Sequence, residues 1–406
     1  MSHDNNGVSR RGFLKFAGAA GISSVFASKV LDGAESNDSN TATQTPELPR
    51  RKLGKTGVEI PCLAFGVAFN AYDNQIILRK AVDWGVTTWD TSNFYENGNS
   101  ELGIGKFFDK NPEVRKKIFL ITKASGAKTI NDVDKRLQTS MERMKIDHID
   151  LYFGVHGLSH PLQLNDEMRK WVEKAKERKV IKYFGFSTHT NIADCLTAAS
   201  KLDWIDVVMA SYNFRLMQDQ KLNDAVQACY DTGVGIIAMK TQGKEIKPTD
   251  ADKKLTEHFI KSGFNEGQAK IKLVLENKCI TAACVGRENI EHLKQNVAAV
   301  LDKTELTKLD KEVLKTYAAE TSCGYCAGCG NICDSVAAGV PVSDVMRYLM
   351  YYNSFGDTST ARQLFAEIPQ QTRNKMLTVD YSAAESRCPQ RLPVAQLMRQ
   401  AVGTLA

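Results

Sequence analysis

Four polar side chains suited to acid–base chemistry follow three short apolar runs in the first half of the chain. Asp90 ends the first of these runs, and Tyr95 lies five residues later. Lys123 ends the next run, and His156 ends the third. A carboxylate, a phenol, an ammonium group and an imidazole that met at one place could together hold and transfer a proton. Each residue alone has a structural explanation: Asp90 as a cap, Tyr95 as a rim aromatic, Lys123 as a counter-ion and His156 as a loop histidine. All four together are much less expected by chance.

The runs that carry these residues belong to a longer series, in which short apolar segments alternate with amphipathic helical segments such as Asn131–Met144 and Asp166–Arg178. The short segments are almost continuously apolar, as strands covered on both faces must be. Eight strand–helix units over about 250 residues predict the α/β class and a (β/α)8 TIM barrel. The predicted strands are Leu63–Val67, Thr87–Asp90, Phe119–Lys123, Ile149–Val155, Tyr183–Ser187, Val207–Tyr212, Val234–Lys240 and Ala282–Gly286.

A doubly wound sheet is the competing topology for such an alternation. That fold would need a G-x-G-x-x-G turn after its first strand, and none follows Leu63–Val67. In a barrel, the reacting groups lie where the strands end in the loops at the carboxyl face. The barrel therefore predicts that the four polar side chains meet at one rim.

Several of these stretches resemble the aldo/keto reductase family. The similarity extends from Arg51 to about Ala299, and it is the joint pattern rather than any single piece that is specific. The matching stretches are Leu53–Gly57, Leu63–Gly66, Gly85–Thr91 followed by Tyr95, Ser100–Gly103, Ile121–Lys123 and Ile149–Tyr152.

The resemblance implies an oxidoreductase that transfers hydride between a nicotinamide cofactor and a small carbonyl or alcohol substrate. Tyr95 would be the general acid, and Lys123, held by Asp90, would lower the pKa of its phenol. His156 would direct the carbonyl oxygen by hydrogen bonding. His156 lies six residues beyond Asp150, one more than the pattern, so we expect a bulge in that strand.

The resemblance also implies a binding site for NADP or NAD. The glutamine that the pattern has four positions before Asn213 is Met209 here, which leaves the contact to the nicotinamide amide incomplete. Arg287 either holds a 2′-phosphate or is an exposed arginine at a helix start. The implied cofactor contacts are Ser187, Asn213, Lys240, Gly286, Arg287, Gln295 and Asn296.

Four cysteines lie within eleven residues near the C-terminus, at Cys323, Cys326, Cys329 and Cys333. This is the spacing with which bacterial ferredoxins hold 4Fe-4S clusters. Zinc sites usually separate two cysteine pairs by a long interval, so the density favours iron–sulfur. The proline that normally follows the fourth cysteine is Asp334.

Cys388, which Pro389 follows, resembles the end of a second ferredoxin run whose other cysteines are missing. In two-cluster ferredoxins the last cysteine of each run serves the other cluster. The fourth ligand is therefore either Cys388, which leaves Cys333 over, or Cys333 itself, and we favour Cys388. We expect a small, mainly helical ferredoxin-like segment, with Val342–Met350 as a helix and Tyr348, Tyr351, Tyr352 and Phe355 as its core.

The N-terminus differs in character from the rest of the chain. Ser9–Lys15 contains two adjacent arginines followed by phenylalanine and leucine, and Phe16–Ala27 is weakly apolar. This order predicts a twin-arginine signal, the translocase as a transient partner and a periplasmic location. The predicted divisions are 1–34 for the signal, 35–50 for a polar linker, 51–318 for the barrel and 319–406 for the 4Fe-4S segment.

Composition excludes some partners. The net charge of +6 is spread along the chain without a lysine or arginine block, which argues against nucleic acid. No other apolar run approaches the roughly 20 residues of a membrane span. Three functions fit the sequence: a nicotinamide-dependent reductase, a barrel that binds without turnover, and an electron-transfer module that docks an electron-carrier protein.

Overall fold

The structure of the protein is a computed structural model that describes residues 46–243, 250–286, 289–322 and 325–406. The predicted signal (1–34), most of the predicted linker, Arg287 and Cys323 lie outside these residues. Among the helices that are described, none is both long enough and apolar enough to cross a bilayer.

Eight parallel strands close into a barrel in which each strand pairs with the next along the chain and the last pairs with the first. All eight predicted strands are confirmed, each within two residues at either end. They are β3 (Leu63–Gly66), β4 (Thr88–Asp90), β5 (Phe119–Lys123), β6 (Ile149–His156), β7 (Ile181–Thr188), β8 (Val207–Ser211), β9 (Gly235–Met239) and β10 (Ala282–Gly286).

A short antiparallel hairpin, β1 (Arg50–Lys52) and β2 (Glu59–Pro61), precedes the barrel. Leu53 and Ile60 of this hairpin pack with the inward side chains of the barrel, including Ile121 of β5. The amino end of the barrel is thus closed by apolar contacts, and the carboxyl end is left for polar side chains.

Helices surround the barrel because each buries one apolar stripe against the strands. The helix that follows β5 begins at a capping box between Thr129 and Asp132, and it buries Val133, Leu137 and Met144. The surrounding helices are α1 (Gln75–Asp83), α2 (Asn99–Lys110), α3 (Pro112–Arg115), α4 (Ile130–Met144), α5 (Asp166–Glu177), α6 (Ile192–Ala199), α7 (Gln220–Asp231), α8 (Asp250–Lys261), α9 (Glu266–Glu276) and α10 (Ile290–Leu301).

The C-terminal segment is helical, as predicted, and has a hydrophobic core of its own. Leu349, Phe365 and Met398 are among the buried members of that core. The predicted helix at Val342 is present and extends to Phe355. The helices are α11 (Lys308–Glu320), α12 (Gly330–Cys333), α13 (Val342–Phe355), α14 (Thr358–Ala366), α15 (Gln370–Lys375), α16 (Ser382–Arg387) and α17 (Val394–Leu405).

Candidate active site

A buried ion pair joins the carboxyl ends of two neighbouring strands. Lys123 Nζ lies 2.7 Å from one carboxylate oxygen of Asp90 and 2.8 Å from the other. The ammonium group also donates to the carbonyl of Thr91 at 2.7 Å and to the Tyr95 hydroxyl at 3.2 Å. Lys123 is only 1% exposed, and an ammonium buried to this extent needs such partners. The structure therefore brings three of the four predicted side chains into direct contact.

The predicted lowering of the pKa of Tyr95 is wrong for this structure. Burial raises the pKa of the phenol well above its usual value, and the negative charge of Asp90 adds to that increase. Burial also raises the pKa of Asp90 itself, against the opposing effect of Lys123. Tyr95 is therefore a neutral phenol. Because its oxygen accepts a hydrogen bond from Lys123, its own proton stays available to another acceptor.

Tyr95 is held by a tight turn whose backbone is unusual. Glu96 and Asn97 both have left-handed φ values, 52° and 54°, which cost residues with side chains about 1 kcal/mol each. Arg143 of α4 supports the turn by donating to the carbonyl of Asn93 at 2.9 Å and to the buried carboxylate of Glu101 at 3.2 Å. The position of the phenol thus depends on a neighbouring helix as well as on its own strand.

His156 reaches the same place through the expected bulge. The register between β6 and β7 shifts between Phe153 and Val155, and Gly154 lies at the shift. A Cβ at Gly154 would approach the Phe184 ring to 2.5 Å, so glycine is needed there. The His156 ring lies 6.3 Å from the Tyr95 ring, centroid to centroid and nearly perpendicular.

The imidazole of His156 is neutral. Burial lowers its pKa well below the usual value, and nearby cations including Lys123 lower it further. Its Nδ1 is hydrogen-bonded to the hydroxyl of Ser125. His156 lines the cavity described next, so the ring can offer its other nitrogen to a bound molecule.

A cavity of about 410 Å³ opens above these side chains at the carboxyl end of the barrel. The four predicted residues, Asp90, Tyr95, Lys123 and His156, form its floor. Of the predicted cofactor contacts, Lys240 and Gly286 line it, whereas Ser187, Asn213, Gln295 and Asn296 do not.

Two of the predicted cofactor contacts, Ser187 and Asn213, are hydrogen-bonded to other groups of the protein. The Ser187 hydroxyl accepts the backbone N–H of Gly157 at 3.0 Å. The Asn213 amide donates to the carbonyl of Lys240 at 3.2 Å and to the Tyr325 hydroxyl at 2.9 Å. Neither residue is among those that line the cavity.

The other two predicted cofactor contacts, Gln295 and Asn296, also do not line the cavity. Asn296 accepts a hydrogen bond from Gln242, which does line the cavity, at 3.2 Å. Gln295 accepts one from Asn265 at 3.1 Å. Their direct contact with a nucleotide stays a prediction, and Asn296 reaches the cavity only through Gln242.

The loops after β9 and β10 suit a ligand that carries phosphate groups. Barrels often bind phosphate at this position. The Thr241 hydroxyl is buried beside the cavity and has no hydrogen-bond partner among the described residues. Burial lowers the pKa of Lys240 to about 8, so its ammonium is still mostly protonated at neutral pH. A Cβ at Gly286 would approach the Gly66 carbonyl to 2.9 Å, so the strand ends lie close together there.

Part of the cavity wall comes from residues that the sequence did not identify as site residues. His189 directly follows β7, and Tyr351, Asp357 and Thr360 belong to the C-terminal segment. Tyr351 was predicted to be a core residue, and it is both buried in that core and part of the cavity wall. His189 could have been identified as a polar side chain directly after a strand. Tyr351, Asp357 and Thr360, in contrast, have no local pattern because they reach the cavity only when the C-terminal segment packs on the barrel.

None of the described cysteines forms a disulfide. Burial raises the pKa of the Cys326 and Cys329 thiols, and the nearby sulfur of Cys388 raises both further. The Cys333 thiol lies 3.5 Å from the carboxylate of Asp334, its neighbour in the chain. Within the described ranges, no group of three or more histidine, cysteine or acidic side chains is arranged to hold a metal ion.

Comparison with known proteins gives one consistent result. A sequence model of the aldo/keto reductase family matches residues 64–313. An aldo-keto reductase of Schizosaccharomyces pombe, whose name specifies NADP(+), is 30% identical over 217 residues, which cover 48% of this chain and 62% of that relative. L-Galactose dehydrogenase of Arabidopsis thaliana is 26% identical over 305 residues, or 66% of this chain and 93% of the relative.

The solved structures agree in fold. The holo form of an aldo-keto reductase from Bacillus halodurans matches with a TM-score of 0.55 at 20% identity, over 67% of this chain and 96% of that one. The family match ends at residue 313, before the cysteine run begins.

Proposed function

The chain belongs to the aldo/keto reductase family of NAD(P)-dependent oxidoreductases, and on that basis we propose that it interconverts a small carbonyl compound and its alcohol, with Tyr95 as the proton donor. The observation that carries this proposal is the hydrogen bond from Lys123 to the Tyr95 hydroxyl beside the cavity. Because the Tyr95 oxygen accepts this hydrogen bond, the phenolic proton is free to be donated to a molecule bound in the cavity.

The proton transfer follows from this arrangement. A nicotinamide cofactor, when bound, would supply the hydride for the substrate carbon or accept it in the reverse direction. Tyr95 gives its proton to the carbonyl oxygen as negative charge develops there. The high pKa of the phenol does not oppose this step, because the developing alkoxide is a much stronger base. Lys123 then stabilises the phenolate, and neutral His156 donates a hydrogen bond to the same oxygen.

Lys240 and Thr241, which line the same cavity, would hold the nucleotide phosphates. The relative named for NADP(+) supports NADP(H) as the cofactor. Contact of Arg287 with a 2′-phosphate stays a prediction, and so does the identity of the carbonyl substrate.

Tyr95→Phe tests the assignment of the proton donor. Loss of a general acid should lower the rate of carbonyl reduction roughly 10²- to 10⁴-fold while nucleotide affinity is unchanged. The matched control is Tyr72→Phe, since Tyr72 is an exposed tyrosine whose ring also lies against a lysine, Lys106. A Tyr95→Phe enzyme as fast as the parent would exclude Tyr95 as the donor.

We further propose that the C-terminal segment holds a 4Fe-4S cluster through Cys323, Cys326, Cys329 and Cys388. Two observations support Cys388 over Cys333. The Cys388 sulfur accepts the backbone N–H of Leu392 at 3.5 Å, and such hydrogen bonds are made to the sulfurs of cluster sites. The Cys333 thiol lies 3.5 Å from the carboxylate of Asp334, whose negative charge opposes formation of a thiolate there. Such a cluster would supply single-electron transfer to an electron-carrier protein. Export of the folded, loaded protein by the twin-arginine route stays a prediction.

Iron analysis of two cysteine variants tests this ligand set. Full-length protein purified without oxygen should contain about four iron atoms per chain. Cys333→Ser should retain them, and Cys388→Ser should lose most of them together with the visible absorption. Equal iron content in the two variants, or none in the parent, would contradict the assignment.

A further inference from the structure

Two residues of the cavity wall belong to a hydrogen-bonded chain of three side chains. His189 Nδ1 lies 2.9 Å from the hydroxyl of Ser211 at the end of β8, and its Nε2 lies 3.2 Å from the hydroxyl of Tyr351. His189 and Tyr351 both line the cavity, and both are 8% exposed. This chain connects two barrel strands to the C-terminal segment at the level of the proposed reaction.

A nicotinamide ring that reacts with a carbonyl held by Tyr95 must lie in this part of the cavity. Its carboxamide is polar and, once buried, needs hydrogen-bond partners. Of the residues predicted to supply them, Ser187 and Asn213 do not line the cavity, and both are hydrogen-bonded to protein groups. Met209, which does line it, has only a weakly accepting thioether.

We propose that the Tyr351 hydroxyl, oriented by His189, binds the carboxamide of the nicotinamide ring in place of the missing glutamine. Tyr351 is thus a cofactor-binding residue supplied by the C-terminal segment, and His189 is its positioning residue. This inference rests on the proposed function, since it requires a nicotinamide cofactor.

Hydrogen-bond accounting supports the assignment. A neutral imidazole has one donor nitrogen and one acceptor nitrogen. If Nε2 donates to Tyr351, the phenol keeps its own O–H to donate to the carboxamide oxygen. If Nε2 accepts from Tyr351, the phenol oxygen keeps its lone pairs to accept from the carboxamide nitrogen. Burial holds the pKa of His189 well below its usual value, which is consistent with a neutral ring.

The Tyr351 ring is itself fixed on its other side. Lys240 Nζ lies 4.9 Å from the ring centroid, a cation–π contact that joins the wall to the loop after β9. The hydroxyl is therefore held at one end by His189 and the ring is held by Lys240. A preorganised group of this kind binds with little loss of side-chain freedom.

The test compares Tyr351→Phe with Tyr352→Phe in the full-length protein. Tyr352 is the next residue of α13 and does not line the cavity, so it is a matched control. Each protein is titrated with NADP(H), with NAD(H) and with two analogues, and binding is followed by protein fluorescence. The 3-acetylpyridine analogue keeps the carbonyl oxygen and lacks the N–H donors, whereas the thionicotinamide analogue keeps the N–H donors and replaces the oxygen.

We expect Tyr351→Phe to weaken binding of the natural nucleotide about fivefold to tenfold, as for loss of one hydrogen bond. The parent should bind one analogue more weakly by a similar factor, and this discrimination should disappear in Tyr351→Phe while Tyr352→Phe behaves as the parent. His189→Leu should reproduce the loss, and thermal unfolding of each variant checks its fold.

Two results would overturn the inference while leaving the proposed function intact. One is equal affinity of Tyr351→Phe and the parent for every nucleotide. The other is an equal loss for all nucleotides, which would mean that Tyr351 acts on a part of the cofactor other than the carboxamide. If the parent binds no nicotinamide nucleotide at all, the proposed function fails and the inference fails with it.

Discussion

The floor of the cavity and the wall formed by the C-terminal segment are built in different ways. The floor residues Asp90 and Lys123 stand on adjacent barrel strands, and the continuous pairing of β4 with β5 fixes their separation. The wall residues Tyr351 and Thr360 stand on helices that have a separate hydrophobic core. The floor is therefore part of the barrel, and the wall is added to it.

The wall is attached to the barrel by polar contacts that can be named. The backbone N–H of Asn191 donates to the carbonyl of Gly328 at 2.7 Å, and Asn213 donates to the Tyr325 hydroxyl at 2.9 Å. The two regions therefore differ in what holds them: strand pairing within the barrel fixes the floor residues, and the wall residues of the C-terminal segment depend on that segment's own hydrophobic core and on its contacts with the barrel.

The largest expected effect is on the floor, in the variant Lys123→Met. Removing the ammonium group leaves the buried carboxylate of Asp90 without its counter-charge, and we expect a loss of about 3–5 kcal/mol in the free energy of unfolding. The control is Lys145→Met, because the Lys145–Asp109 pair is more than half exposed on both sides and should contribute less than about 1 kcal/mol. Similar losses in the two variants, measured by denaturant unfolding, would show that the buried Asp90–Lys123 pair contributes no more to the free energy of unfolding than an exposed pair does.

The wall can be tested separately with Met398→Ala. Met398 is fully buried in the core of the C-terminal segment, so the cavity left behind should cost about 2–5 kcal/mol. We expect faster hydrogen exchange in α13, α14 and α17 and unchanged protection in the barrel strands. Leu377→Ala is the control because Leu377 is 55% exposed. Equal loss of protection in the strands would mean that the two regions unfold as one unit.

The smallest expected effect involves both regions, through pH. Burial lowers the pKa of His156 and of His189 well below the usual value. Below about pH 6.5 the unfolded chain therefore binds protons that the native protein does not, and stability decreases as the pH falls from 7 to 5. Each histidine contributes up to about 1.4 kcal/mol per pH unit. Urea unfolding at several pH values should show a smaller slope in His156→Gln, and an unchanged slope would rule out the buried neutral state of His156.

The sequence by itself determined the eight strands, the four floor residues and the bulge before His156. These features depend on short-range rules. Strand periodicity needs only neighbouring residues, and the one-residue excess between Asp150 and His156 can be counted along the chain. The order of strands around a barrel then places their carboxyl ends together.

Only the tertiary structure decided three features of the site. These are the raised pKa of Tyr95, the hydrogen bond from Asn213 to the Tyr325 hydroxyl, and the presence of Tyr351 in the cavity wall. A pKa depends on how deeply a group is buried, and residues far away along the chain bury Tyr95. Likewise, Tyr325 packs in the barrel core although it lies 112 residues after Asn213, and Tyr351 meets the barrel because the helical core to which it belongs packs there. Contacts of this range have no local signal, so the sequence predicted the floor of the site and not the wall that the C-terminal segment adds.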